Sequence, residues 1–218
     1  MTLLSAQTPE VPAMSVAAPA PAPAAPSFTP GAPHPATEVD NRATYVSFGL
    51  AYVLGHGSAA LSRGSTPLLD LPDWLPMTLL GIGLAVGTVQ ATVAAMRAQR
   101  AATGPEEVLS GKLLGAAWVV AFAALFLAIT GLTNSLDLPD LQSMLWPTGS
   151  GFVVGLLYVA EGSARRNLLH YALGSWLALI STAALLLGTP GLYWVLTLAG
   201  GGAYALAAVL ERRRLATR

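Results

Sequence analysis

Six apolar stretches, separated by short charged segments, constrain this chain more than any other feature of its sequence. They cover residues 44–61, 77–96, 113–132, 145–161, 168–187 and 192–210. A helix needs about 20 predominantly apolar residues to cross the core of a bilayer, and each stretch is close to that length. The sequence therefore predicts an all-α, polytopic membrane protein with six transmembrane helices.

The basic residues predict how this protein is oriented. Of the eleven Lys and Arg residues, all but Arg63 fall in segments that would lie on one side of the membrane. Lys and Arg in short loops are retained on the cytoplasmic side during insertion. We therefore expect a multi-pass protein of the cell (plasma) membrane, with Arg63 outside and with both the N- and C-termini cytoplasmic.

Residues 1–40 differ in character from the rest of the chain. They are rich in Pro and Ala, with an Ala-Pro repeat over residues 19–26. Each Pro removes a backbone donor and fixes φ, so this repeat cannot form a helix. The first residues also lack the basic region and the sustained apolar region of a signal peptide. We predict a disordered cytoplasmic arm over residues 1–40 and a six-helix transmembrane domain over residues 41–218.

Composition argues against several classes of function. The formal net charge is zero, so no basic surface favours a nucleic-acid partner. Cysteine is absent and the three histidines are scattered, which argues against a metal site. We find no nucleotide-binding loop, nucleophile elbow or zinc-protease motif in the sequence. The chain is predicted to be neither an enzyme nor a cofactor-binding protein.

Polar groups within the apolar stretches are the first candidates for a functional site, because burying them in hydrocarbon is costly. His56 lies in the first stretch and Gln90 in the second. Glu161 is predicted to pair with Arg165, four residues later on the same helix, in preference to the alternative of a proton-relay role. His170 is interpreted as a lone polar anchor near the inner end of the fifth stretch.

Four short segments resemble the acetate uptake transporter family, the acetate/succinate–proton symporters. They are Phe48-Gly49, Gly87-Thr-Val-Gln90, Gly115-Ala-Ala-Trp118 and the last-span segment Gly202-Ala-Tyr-Ala-Leu. The resemblance extends loosely over most of residues 41–211. The Asn-Pro-Ala-Pro signature of that family is replaced here by Asn41-Arg-Ala-Thr, so the carboxylate-binding role of the signature does not carry over.

This resemblance implies a homo-oligomer, hexameric in that family, with a pore through each protomer. It also implies that Phe48 helps to form a hydrophobic gate and that Gln90 lies near the solute path. Together with the polar groups, it predicts a substrate pathway through Phe48, His56, Gly87, Gln90 and Trp118.

Three functions remain open at this point. The first is a transporter or channel for a small solute, such as the monocarboxylate acetate, with membrane lipids as its surroundings. The second is a small permease subunit of an ABC-type system, which would dock a separate ATPase on the cytoplasmic loop around residues 104–107. The third is a non-transporting membrane scaffold that uses the Pro-rich arm to hold a partner.

Overall fold

The structure, a computed structural model, describes residues 39–102 and 104–216. All regular secondary structure within these ranges is helical, which confirms the all-α prediction. The predicted disordered arm lies outside the described residues except for its last two positions.

The helices follow one another with short connections. In chain order they are α1 (Arg42–Ala51), a π-helical turn (Tyr52–His56), α2 (Gly57–Ser62), α3 (Trp74–Ala101), α4 (Pro105–Leu136), a 3₁₀ turn (Pro139–Leu141), α5 (Gln142–Ala164), α6 (Leu168–Ala184), a 3₁₀ turn (Leu185–Leu187), α7 (Gly188–Val195), a second π-helical turn (Leu196–Gly200) and α8 (Gly201–Ala216).

Within the described residues, four helical runs are long and apolar enough to cross a membrane. They are Trp74–Ala101, Pro105–Leu136, Pro139–Ala164 and Leu168–Ala216. Large apolar side chains on α3 and α4, such as Ile82 and Val119, are exposed on the surface. Such a surface is typical of contact with lipid. A membrane-embedded helical protein is therefore confirmed, whereas the predicted count of six spans is not.

The longest of these runs folds back on itself. Gly188 has φ 58°, and Thr189 leaves the helical region with φ −89° and ψ 132°. Beyond this break the indole Nε1 of Trp176 in α6 donates to the carbonyl oxygen of Ala199 at 3.0 Å. The two halves of the run, α6 and α7–α8, are thus antiparallel neighbours.

Two boundaries differ from the sequence prediction. The inside loop was predicted over residues 97–112, but α3 continues to Ala101 and α4 begins at Pro105. Gln99 Nε2 donates to the carbonyl oxygen of Val108 at 2.8 Å and joins the two helices near their connection. The surface predicted to dock an ATPase is therefore the tip of a helical hairpin and not a long loop.

The sequence predicts that Pro147, together with Gly149, Gly151 and Gly155, interrupts the fourth apolar stretch, but helix α5 is continuous. Proline has no N–H, so the carbonyl oxygen of Ser143 loses its partner four residues ahead. The hydroxyl of Tyr193 donates to that oxygen at 2.8 Å. A side chain of α7 thus satisfies the carbonyl that Pro147 frees.

Helices α5 and α6 approach each other through glycine. A Cβ atom at Gly155 would lie 2.7 Å from the carbonyl oxygen of Gly174, and one at Gly174 would lie 2.6 Å from that of Gly155. Near the connecting turn, a Cβ at Gly162 would meet the backbone nitrogen of Tyr171 at 2.5 Å. Small residues allow such backbone contact in membranes, where close packing takes the place of the hydrophobic effect.

Residues 39–41 are held against the end of α8. The carboxylate of Glu211 is fully buried and accepts from Arg214 Nε and Nη2 at 2.7 and 2.8 Å. It also accepts from the backbone N–H of Asn41 at 3.2 Å, while Arg214 Nη2 donates to the carbonyl oxygen of Val39 at 3.2 Å. We call the side of the molecule that carries this contact the Glu211 end, and the opposite side the Arg63 end.

The neighbouring pair of Asp40 and Arg42 is exposed. Its shortest N–O distance is 2.7 Å, and the hydrogen bond from Arg42 lowers the pKa of the Asp40 carboxyl below its ordinary value. Because both side chains are about half exposed, water screens the pair and it adds little to stability.

We expect Gly174→Ala to lower the free energy of unfolding by about 1–3 kcal/mol, because the added methyl group collides with the α5 backbone. Gly202→Ala is the matched control, since a Cβ there has nothing within 4 Å and alanine is the better helix former. Thermal unfolding of the purified protein in detergent measures both variants. Equal stability of the two would contradict the α5–α6 contact.

Candidate functional site

One face of the first helical run carries a row of buried rings. Tyr45, Phe48, Tyr52 and His56 are all buried, at successive spacings of three, four and four residues. An α-helix has 3.6 residues per turn, so positions four apart drift around its axis. The π-helical turn Tyr52–His56 adds a residue to the winding and keeps Tyr52 and His56 on the same face.

The N-terminal member of this row takes part in a buried hydrogen-bonded chain. The hydroxyl of Tyr45 lies 2.7 Å from His170 Nδ1, and His170 Nε2 lies 3.2 Å from Glu161 Oε2. The indole Nε1 of Trp118 donates to Glu161 Oε1 over a longer distance of 3.4 Å. We call Tyr45, Trp118, Glu161 and His170 the polar cluster. It joins side chains of α1, α4, α5 and α6 near the Glu211 end.

Donor and acceptor roles in the polar cluster follow from its chemistry. An ionised carboxylate only accepts, and an indole N–H only donates. With Glu161 ionised, His170 therefore carries its proton on Nε2, and Nδ1 accepts from the hydroxyl of Tyr45. The side chain of Glu161 is 19% exposed and that of His170 only 6% exposed, so Glu161 is the more accessible group of the pair. Glu161 can therefore take up a proton, and this weakens its hydrogen bond to the His170 Nε2–H.

Aromatic rings continue from the polar cluster towards the Arg63 end. The ring of Tyr158 lies over His170, with centroids 4.1 Å apart, and Tyr204 lies 6.5 Å from Tyr158. Tyr52 follows at 5.3 Å from Tyr204, and His56 at 4.9 Å from Tyr52.

The last ring of this series is Tyr193, whose centroid is 6.2 Å from that of His56. We call the series from His170 through Tyr158, Tyr204, Tyr52 and His56 to Tyr193 the aromatic column. Tyr45 and His56 are eleven positions apart, which at 1.5 Å per residue is about 16 Å along the helix. That is roughly half of a hydrocarbon core.

Two of the predicted pathway residues contact each other. A Cβ atom at Gly87 of α3 would lie 2.5 Å from Cε1 of Phe48, so the phenyl ring occupies the space that the glycine leaves. Phe48 also contacts Tyr204 of α8, with ring centroids 5.8 Å apart. The ring thus fills the junction of α1, α3 and α8.

The other three predicted residues lie in separate surroundings. Trp118 is part of the polar cluster, and His56 packs between Tyr52 and Tyr193 in the aromatic column. Gln90 is half-buried, and its Oε1 atom is shielded from solvent without a hydrogen-bond partner among the described residues. Three tyrosines connect the predicted residues. Tyr158 contacts Trp118, Tyr204 contacts Phe48 and Tyr52 contacts His56. Tyr204 in turn contacts both Tyr158 and Tyr52.

Two hollows in the described structure are lined by residues other than those of the predicted pathway. One is lined by residues of α4 near its start, including Glu106 and Leu113. The second lies between α4, α5 and α6 and is lined by Ile129 and Thr148 among others. Neither is lined by any of the five predicted pathway residues.

Comparisons with protein-family models, with curated proteins and with solved structures gave no match. The resemblance to acetate uptake transporters therefore stays a prediction from four short segments.

Sequence reasoning missed the polar cluster. The lone-anchor interpretation of His170 is wrong, because His170 is buried and both of its ring nitrogens have partners. The carboxylate of Glu161 contacts His170 and Trp118, whereas the expected partner was Arg165. A signal was present: Glu161 ends one apolar stretch and His170 begins the next, so a tight hairpin places them opposite each other.

We expect Tyr45→Phe to lower the free energy of unfolding by about 1–3 kcal/mol, because it leaves Nδ1 of His170 buried without a donor. Tyr171→Phe, at an exposed tyrosine of the same helix as His170, is the control and should be close to neutral. Denaturant titration of both detergent-purified variants is the measurement. A Tyr45→Phe protein as stable as the parent would mean that the hydroxyl makes no such bond.

Proposed function

We propose that this chain crosses the membrane six times and transports a small solute together with protons. The observation that carries the proposal is the buried chain of Tyr45, His170 and Glu161 among apolar helices. Ionisable side chains within membrane-spanning segments are costly, and they commonly mark proton relays and solute pathways.

Two structural features support six crossings. The run Leu168–Ala216 folds back at Gly188, so it supplies two antiparallel legs. The segment from α1 through the π-helical turn to α2 covers residues 42–62, which at 1.5 Å per residue is about 30 Å and matches a bilayer core. The two halves of Leu168–Ala216, the segment from α1 to α2, and the helices α3, α4 and α5 together make six membrane-spanning segments.

The distribution of basic residues supports cytoplasmic termini. Contacts of Gly83 with Ala51 and of Gly87 with Phe48 make α1 and α3 antiparallel, and the Trp118–Glu161 and Leu125–Gly149 contacts do the same for α4 and α5. The basic residues near the helix ends therefore gather at the Glu211 end, apart from Arg63. Positive charge is retained inside, so we assign the Glu211 end to the cytoplasm.

A proton step follows from the order of groups in the polar cluster. A proton from the cytoplasm reaches Glu161 first, because Glu161 is the more exposed of the pair. Neutralising Glu161 replaces a charge-assisted hydrogen bond from the His170 Nε2–H by a weaker neutral one. Protonation of Glu161 therefore loosens the hydrogen bonding between α5 and α6.

A weakly partnered hydroxyl supports a contact with the solute. The hydroxyl of Tyr158 is buried beside His170, and among the described residues only a weak contact with the hydroxyl of Tyr204 offsets that burial. A small carboxylate or a similar polar group would regain a hydrogen bond there, and recovering such a bond is favourable in a buried site. Acetate is the first solute to test because of the family resemblance.

The absence of cysteine allows a direct test of the topology. We expect Arg63→Cys to react with a membrane-impermeant maleimide added to intact cells, and Lys112→Cys and Arg166→Cys to react only after lysis. Labelling of Lys112→Cys or Arg166→Cys from outside, or protection of Arg63→Cys, would contradict six crossings with cytoplasmic termini.

We expect purified protein in proteoliposomes to take up labelled acetate when a proton gradient is imposed, and Glu161→Gln to reduce that uptake roughly tenfold or more. The expected size follows from the hydrogen bonds that Glu161 makes as a charged group. Such bonds contribute about 1.5–3 kcal/mol to the stability of the arrangement that they hold. Glu106→Gln makes the same chemical change at an exposed carboxylate of α4 and should leave uptake unchanged.

The gel-filtration elution volume and the thermal unfolding of both variants are measured as well. These measurements distinguish a variant that has lost transport from one that has lost its fold. Uptake that equals that of empty vesicles at every gradient would overturn the monocarboxylate as solute. Full activity of a folded Glu161→Gln protein would overturn the role of the polar cluster.

A further inference from the structure

A hollow of about 260 Å³ lies between α4, α5 and α6, away from the polar cluster. Its lining comes from α4 between residues 125 and 132, from α5 between residues 145 and 152, from Thr182 of α6 and from Leu185 of the following 3₁₀ turn. The floor is buried, with Ile129 4% exposed and Thr148 2% exposed. The rim is open, since Leu132 and Phe152 remain 45% and 38% exposed. The hollow is therefore a groove that faces sideways out of the helices.

The polar side chains of the groove already have hydrogen-bond partners. Among the described residues that line it, Thr148 and Thr182 are the only ones with polar side chains. The hydroxyl of Thr148 donates to the carbonyl oxygen of Met144 at 2.6 Å, and that of Thr182 donates to Ala178 at 2.9 Å. A polar occupant would lose its hydration without gaining partners, whereas an apolar one would bury hydrocarbon at no such cost.

The position of the groove identifies the apolar occupant. Residues 125–132 extend about 10 Å along α4, in the half nearer the Arg63 end. All three bordering helices belong to runs that are apolar enough to cross a membrane. An acyl chain of the bilayer lies roughly parallel to such helices at this depth, and it is present around the protein at high concentration.

We propose that this groove binds an acyl chain of a bilayer lipid from the leaflet at the Arg63 end. The chain lies over Ile129 and Thr148 and is flanked by Leu132 and Phe152. The proposal rests on the lining and depth of the groove, and it does not depend on solute transport.

Photolabelling tests this proposal. The full-length protein is reconstituted in phosphatidylcholine vesicles that contain a fraction of phosphatidylcholine with a diazirine on one acyl chain, and labelled peptides are identified by mass spectrometry after irradiation. We expect label to concentrate several-fold in residues 125–132 and 145–152, relative to the exposed α4 face around Val119 and Val120.

Matched variants establish the cause of the labelling. Ala128→Phe places a ring in the groove and should reduce label on residues 145–152 several-fold. Ala124→Phe makes the same change at an exposed α4 position that does not line the groove, and it should leave the label unchanged. The two variants are compared only if they elute from gel filtration at the same volume and unfold at the same temperature. If Ala128→Phe does not fold, Ala128→Leu replaces it as the variant that fills the groove.

Two results would overturn the proposal. The first is equal labelling of the groove and of the Val119–Val120 face, together with labelling of the groove that Ala128→Phe does not reduce. The second is cross-linking of two protein chains through a photoreactive residue at position 152, which would assign the groove to a second copy of the chain.

Discussion

The backbone contact between α5 and α6 at Gly155 and Gly174 is the constraint on which the site depends. Only when these helices touch can Glu161, near the end of one, reach His170, near the start of the other. The same contact brings the ring of Tyr158 over the imidazole. A larger residue at either glycine would separate the helices and, with them, the donor and the acceptor.

Helical character and membrane location could be predicted from the sequence, because both depend on the length and polarity of whole segments. The prediction failed where a single tertiary contact decides the outcome. Pro147 looked like an interruption since its effect on α5 depends on a hydroxyl donated by Tyr193, 46 positions later in the sequence. The boundaries of α3 and α4 were misplaced for a similar reason, because charged residues were assigned to a loop although they extend the helices beyond the apolar core.

The candidate site was less predictable still. Phe48 and Gly87 are in contact, and Trp118 lies in the polar cluster, but nothing in their spacing indicates the link between Glu161 and His170. Reasoning along one helix favours partners four residues apart, such as Arg165. A hairpin supplies a competing partner across the turn, and burial decides between the two, since the buried imidazole of His170 needs hydrogen-bond partners more than the partly exposed guanidinium of Arg165 does.

The two π-helical turns have a consequence for the length of the chain. Each contains one more residue than an α-helix of the same rise, and the turn at Tyr52–His56 packs against the turn at Leu196–Gly200, where the ring of Tyr52 covers Gly200. Deleting one residue from the first turn would rotate α2 by about 100° relative to α1 and carry His56 away from Tyr193. Loss of a residue in one helix therefore cannot be absorbed locally, whereas a loop outside the helices can change in length without rotating one ring away from another.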